Sequence, residues 1–258
     1  MNKSDFENFY RPLVAENIIF LDEVGSTNDY LKELAKTGEK AGTALIAARQ
    51  SAGRGRLGRD WDGGEALDIY LSILLKPQMA NPSGITLMAS VCVTKMLNEL
   101  LDGHEAKALI KWPNDVIVKG RKICGILSEG GSYGVVLGVG INIFRRSFPK
   151  ELEEKATSLN LITKRKYERA DIIKGLLTIF GEYYEIFQVG GIISFLEEYR
   201  ALSANIGKEV AVHEKNASYK AVATGIDGDG KLEVLLSDGT QKSLDSGEVS
   251  VRGIYGYV

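Results

Sequence analysis

Two hydrophobic periods alternate along this chain. Short apolar runs at Asn17–Leu21 and Thr43–Ala48 read as buried strands, and Asp68–Leu75, Ile123–Glu129 and Val135–Ile143 extend the series. Between the first two, Ser26-Thr27-Asn28-Asp29 predicts a helix start. Ser26 or Thr27 is the cap, Asp29 complements the dipole, and Tyr30, Leu31, Leu34 and Ala35 form the apolar side before Gly38 ends it. Pro82 opens a longer helix to about Leu101, with Ile85, Met88, Ala89, Cys92, Met96 and Leu100 at helical spacing. Residues 150–165 show no clear period and read as connecting structure. An amphipathic helix then runs from Glu168 to Phe187, and Gly190-Gly191 breaks it before a shorter one from Ile192 to about Ala204. From Gly207 the pattern changes to short alternating runs split by Asp227-Gly228-Asp229-Gly230 and Asp238-Gly239, which are hairpin signals. The expectation is an α+β fold: a mixed or antiparallel sheet flanked by helices over residues 1–205, and a small all-β domain over 206–258.

Composition narrows the class. The chain has 258 residues and a net charge of −2, so it carries no overall electrostatic footprint for nucleic acid. Its two cysteines, Cys92 and Cys124, have neither metal-ligand spacing nor a disulfide framework, which fits a reducing, cytoplasmic setting. Met1–Arg11 is polar and carries acids, unlike a signal peptide, and no apolar run is long enough to span a membrane. His104 and His213 each stand alone in polar surroundings.

Against that acidic background, Arg49-Gln50-Ser51-Ala52-Gly53-Arg54-Gly55-Arg56-Leu57-Gly58-Arg59 is a local anomaly. It holds four guanidinium groups and three glycines and no acid, followed by Asp60, Trp61 and Gly63-Gly64. Arginine forks suit carboxylates and phosphates, and glycines let backbone N–H groups turn toward an anion. A solvated basic loop would have no use for the glycines. Gly53, Gly55 and Gly58 match the dinucleotide spacing G-x-G-x-x-G, but turn chemistry follows where that fingerprint needs a helix. A P-loop is excluded because no Gly-Lys-Ser/Thr closes the segment. The prediction is a loop that closes over a small anionic ligand, unstructured over Gly53–Gly64 until the ligand arrives.

Lys111-Trp112-Pro113-Asn114-Asp115 is a second chemical corner. Pro113 keeps Trp112 out of helix geometry, and an ammonium, an indole, an amide and a carboxylate meet at one turn. Lys119-Gly120-Arg121-Lys122 then forms a basic hairpin turn. Lys122 heads an apolar strand, where it is expected to be partly desolvated and directed into a cavity, and Gly125 marks a close approach of backbone or ligand.

Taken together, Ser26-Thr27-Asn28, the basic loop with Trp61, Lys111 to Asp115, Arg121-Lys122 with Gly125, and Gly138-Val139-Gly140-Ile141-Asn142 resemble the biotin protein ligases, also called biotin–[acetyl-CoA-carboxylase] ligases. The resemblance covers about residues 17 to 258. It implies a class II synthetase-like catalytic domain and a small SH3-like β-barrel at the C-terminal end. Some members begin with a helix-turn-helix DNA-binding domain; about 25 residues precede Ser26 here, which suggests the monofunctional type.

The implied reaction joins biotin and ATP, with Mg2+, to give biotinyl-5′-AMP, then passes biotin to a lysine of a biotin carboxyl carrier domain. Lys122 and Arg54 match the catalytic positions. Ser26, Thr27, Asn28, Gln50, Gly53, Arg54, Lys122 and Gly125 match the biotin site. Arg56, Arg59, Trp61, Lys111, Asn114, Asp115, Gly140, Asn142 and Arg252 match the ATP and adenylate site, with Trp61 packing on adenine and Asp115 holding a magnesium-bound water. Glu248 resembles a further residue reaching toward the nucleotide. Pairing of two copies through sheet edges, and neither nucleic acid nor membrane as partner, complete the expectation. The alternatives are a lipoate or octanoyl ligase or transferase of the same superfamily, and a non-catalytic biotin-binding regulator.

Overall fold

Strand Asn17–Val24 (β1) runs parallel to Thr43–Gln50 (β2), and the helix Thr27–Lys36 (α1) crosses between them. The computed structural model describes residues 3–10, 12–63, 68–78, 83–214, 217–246 and 250–253. Within it α1 starts as its sequence dictates, with Ser26 Oγ accepting from Asp29 N at 3.3 Å. Leu31 and Ala35 of that helix pack on Leu45, Leu74 and Val136 in a small cluster on one sheet face.

After β2 the basic loop folds into a two-rung ladder between Gly53–Arg54 (β3) and Asp60–Trp61 (β4). Residues 53–63 thus form a defined turn, and Gly64 lies outside the described residues. The chain returns through Ile69–Leu75 (β5) and then the helix Ser83–Leu100 (α2). Pro82, its expected first residue, also lies outside the described residues. Ala108–Lys111 (β6) and Asp115–Val118 (β7) flank the Lys-Trp-Pro-Asn-Asp corner, in which the Trp112–Pro113 bond is cis. Arg121–Gly131 (β8) and Gly134–Ile141 (β9) follow. These make a seven-stranded mixed sheet in the order β1-β2-β5-β9-β8-β7-β6, antiparallel apart from β1–β2.

Alternation in the central strands sorts the two faces. Ile69, Leu71, Ile73 and Leu75 of β5 and Val135, Leu137, Val139 and Ile141 of β9 enter the main core. The residues between them include Tyr70, Ser72, Gly138 and Gly140, which lie on the face that carries α1. Small residues there leave a hollow in the sheet surface.

The connection after β9 is not featureless: it contains Leu159–Thr163 (α3), capped by Ser158, whose Oγ accepts from Leu161 N. This short helix was hidden because five residues give a period too little room to show. Arg169–Gly190 (α4) stops at Gly191, a residue at φ 61°, and after a 3-10 turn Leu196–Leu202 (α5) completes the helical layer against α2. The C-terminal strands are Glu209–His213 (β10), Ser218–Ile226 (β11), Leu232–Leu235 (β12), Gln241–Leu244 (β13) and Ser250–Gly253 (β14). Where a closed barrel was expected, they form an antiparallel sheet in the order β13-β12-β11-β10-β14, with no pairing of β13 to β14 among the described residues. Its apolar side joins the main core through Val210, Val212, Ile226 and Leu232.

Candidate active site

The hollow on the α1 face becomes a site because of one irregularity in β8. Val116 pairs with Cys124 and Ile117 with Lys122, so Ile123 is an extra residue in the strand. Strict alternation would put Lys122 on the core side with Cys124. The bulge turns it instead to the side of Gly125: a Cβ on Gly125 would lie 3.1 Å from Lys122 Nζ. Lys122 is also held by its backbone, its N–H donating to Lys155 O at 2.7 Å and its carbonyl accepting from Thr157 N at 2.8 Å. Its Nζ ends 2.6 Å from Asp115 Oδ1 and 5.2 Å from the centre of the Trp61 ring.

Lys122 lines two adjoining cavities. The inner one, of about 50 Å3, lies over the glycine hollow and is bounded by Ser26, Thr27, Asn28, Gln50, Arg54 and Gly125. Gly138, not expected as a site residue, also lines it, and a side chain there would collide with Asn28 Oδ1. Gly140, expected at the adenylate, lines this inner cavity, where it pairs with Gly125 directly beneath Trp61. A Cβ on either glycine would lie 2.6 Å from the indole. The Trp61 indole thus covers two bare backbones and walls both cavities.

Several donors and acceptors around the inner cavity are already engaged, whereas the buried Trp61 Nε1 has no hydrogen-bond partner. Gln50 Oε1 accepts from Thr27 N at 2.8 Å and Thr27 Oγ1 at 3.0 Å. Asn28 donates to Leu127 O and Glu129 and accepts from Ser72 Oγ at 2.7 Å. Gly53 lines neither of these two cavities; it packs its backbone between Gln50 and Trp61. Arg54 lines the inner cavity, but its fork is clamped by Asp29 and Glu129, each at 2.7 Å, with Lys32 bridging the same two acids. Burial raises both carboxyl pKa values, yet Lys32 and Arg54 outweigh it, joined at Glu129 by Asn28, and hold both below the ordinary carboxylate range.

The outer cavity, about 420 Å3, is walled by Arg56, Arg59, Lys111, Asn114, Asp115 and Asn142 from the expected set. Arg56 donates from Nη1 to Asn114 Oδ1 at 3.0 Å, while its buried Nη2 has no partner. Burial, with Arg59 nearby, lowers the guanidinium pKa against the pull of Asp115 and Asp245. The far wall was not foreseen: Leu152 and Lys155 come from the stretch read as a plain connection, and Arg145 and Phe148 from just before it. Phe148 and Leu152, apolar among charges, were the signal available there. Arg145, 5% exposed, donates from Nε to Asp68 Oδ2 and from Nη1 to Asp62 Oδ2, both at 2.7 Å. Asp68 in turn accepts from the backbone of Ile143 and Phe144, and Tyr70 donates its hydroxyl to Gly63 O. The two acids outweigh burial and raise the Arg145 pKa, so this guanidinium is a fixed charge that fastens the end of the basic loop. Arg252 lies on β14 opposite Ala211, with its side chain outside the described residues, as is Glu248 altogether. No described helix is long and apolar enough to cross a membrane.

An arginine-rich loop over a glycine floor, with Lys122 lining both cavities, is an arrangement that can draw two anionic groups together, as a ligase-type site must. Residues 21–142 match the Biotin/lipoate A/B protein ligase family, and residues 206–252 match the Biotin protein ligase C terminal domain. The chain is 34% identical over 215 residues to the biotin–[acetyl-CoA-carboxylase] ligase of Mycobacterium tuberculosis, covering 81% of this chain and 80% of that protein. It is 32% identical to the bifunctional ligase/repressor BirA of Escherichia coli, covering 92% and 74% respectively. Among solved structures, the biotin protein ligase from Aquifex aeolicus in complex with biotin and ATP superposes with a TM-score of 0.82 at 31% identity, covering 92% of this chain and 99% of that one. The chain belongs to the biotin protein ligase family.

Proposed function

We propose that the residues described above carry out biotin ligation in two steps at the junction of the two cavities. The enzyme is an ATP-dependent ligase that makes biotinyl-5′-AMP and transfers biotin to a carrier lysine. In the first step a biotin carboxylate oxygen bonds to the α-phosphorus, and the bond from that phosphorus to the β-phosphate oxygen breaks. Pyrophosphate leaves with the electron pair. Two anions must approach, so positive charge fixed in advance lowers the barrier.

Lys122 is the residue for that task, and the observation that carries the reading is its position. It is turned by the bulge into the wall shared by both cavities. Its role is electrostatic, across carboxylate and α-phosphate. Biotin takes the inner cavity, which must widen from about 50 Å3 to admit it, with Thr27, Gln50 and the Gly125, Gly138 and Gly140 backbone around its bicyclic head and Arg54 toward its carboxylate. The nucleotide takes the outer cavity. The unpartnered Nη2 of Arg56 supports a phosphate contact there, and Arg59, Lys111, Asn114 and Asn142 surround it. Magnesium bound with the triphosphate would neutralise part of its charge. Asp115 would hold it through water, which fits an ion that needs one or two carboxylates besides phosphate oxygens. No group of three or more acidic, histidine or cysteine side chains among the described residues forms a dedicated metal cage.

In the second step the neutral amine of a carrier lysine bonds to the acyl carbon, the carbon–oxygen bond to phosphate breaks, and AMP leaves with the pair. The amine proton passes to solvent. The carrier is the biotin carboxyl carrier domain of a carboxylase, and the cytoplasm is the compartment. Closing the loop excludes water from a mixed anhydride that water would destroy. Incubation with ATP, magnesium and either biotin or lipoate tests the reading: biotinyl-adenylate and pyrophosphate appear with biotin, and a lipoyl-adenylate alone would overturn it.

A further inference from the structure

In the ligase reading, both cavities described so far are filled by substrate when the adenylate has formed. The acceptor amine must reach the acyl carbon from another side. A third cavity, of about 220 Å3, meets the same junction. It shares Arg56 and Asn114 with both other cavities, and Ile126 and Leu127 with the inner one. One wall is formed by Thr86 of α2 and Ser128 of β8, whose hydroxyls meet at 2.6 Å. The opposite wall comes from the turns of the small sheet, with Asp229 and Asp245 exposed and Lys231 half-buried. That wall is fixed in place, since Trp112 Nε1 donates to Gly230 O at 3.2 Å and Leu87 packs directly against Gly230.

We propose that this third cavity is the path by which the acceptor lysine of a carrier domain enters, resting on the ligase reading above. Its chemistry grades in the required direction. Exposed carboxylates at the mouth attract an ammonium, and a four-carbon stem then runs along Leu87, Ile126 and Leu127, which are apolar and largely buried. At the inner end lie Asn114 and Arg56, beside the position of the mixed anhydride. A lysine so placed reaches the acyl carbon without displacing biotin or the nucleotide.

Thr86 and Asp229 line neither substrate cavity, so substitutions there separate the two half-reactions. The experiment measures pyrophosphate release with biotin and ATP, and single-turnover transfer from enzyme-bound biotinyl-AMP to a purified apo biotin carboxyl carrier domain. Thr86→Phe, which fills the cavity, should slow transfer about tenfold or more with pyrophosphate release within about twofold. Asp229→Asn, a surface change that leaves folding intact, should raise KM for the carrier about threefold to tenfold and lose that effect at high salt. Transfer by Thr86→Phe at the unsubstituted rate overturns the proposal, and so does an equal loss of both half-reactions in both variants. Absence of pyrophosphate release by the unsubstituted protein overturns the ligase reading itself.

Discussion

Lys122 Nζ stands 2.6 Å from Asp115 Oδ1, across a ladder in which β8 has one residue more than β7. The pair exists because the bulge turns Lys122 off the core face, and it holds a mobile ammonium at the shared wall. Lys122→Ala should lower biotin-dependent pyrophosphate release by about a thousandfold or more, the scale of losing a preorganised electrostatic group. The melting temperature should hardly move, because the strand is held through the Lys122 backbone to Lys155 and Thr157. Normal pyrophosphate release by this variant would remove Lys122 from the mechanism.

The indole of Trp61 needs Gly125 and Gly140 bare beneath it. Gly140→Val should lift the ring and raise KM for biotin about tenfold or more, since an overfilled contact must shift its neighbours. Trp61 and Trp112 are the two tryptophans, and Trp112 is 1% exposed, so a change in indole emission on biotin binding reports on Trp61. Loss of that change in Gly140→Val is the expected readout.

Arg145 joins Asp62 at the end of the basic loop to Asp68 at the head of β5. Its removal strands a buried carboxylate, and Arg145→Ala should cost about 3–5 kcal/mol in denaturant unfolding. Arg145→Lys should restore only part of this, because an ammonium cannot fork to both acids. Limited proteolysis within residues 53–63 should speed up in the same order, and biotin should slow it.

Acid should loosen the other end of the loop. Asp29 and Glu129 have pKa values held below their ordinary 3.8 and 4.5, so their clamp on Arg54 is complete above those values and is lost as pH falls through the lower folded ones. Their partial exposure keeps the effect small, under about 1 kcal/mol. Nicking of the loop by an acid-active protease should rise below about pH 4, and Asp29→Asn with Glu129→Gln should abolish that rise.

Much of this was legible in the chain. Leu71 and Val139, at period two among apolar neighbours, sufficed to place the central strands, and Ser26 announced its own cap. The loop from Arg49 to Arg59 could be read as an anion site because arginine with glycine has few other uses. The bulge at Ile123 could not, since one additional residue in a strand leaves no mark on an apolar run. Nor could the clamps on Arg54 and Arg145, whose acids lie 25 to 83 positions away. Gly138 stands in the Gly138–Asn142 motif, but its use depends on Asn28, far off in sequence, which occupies the space above it.

Asn205 accepts from Trp112 N at 2.8 Å, Ala204 donates to Ile110 O at 2.7 Å, and the side chains of the small sheet share one core with the large one. The two family segments, 21–142 and 206–252, thus share one apolar core, and the expectation is that they unfold together. Heating should give one calorimetric transition whose van't Hoff and calorimetric enthalpies agree. A chain cut after residue 205 would leave the Trp112 indole without its Gly230 acceptor and open an apolar seam to water, so the catalytic part cut loose should melt at a lower temperature than the whole.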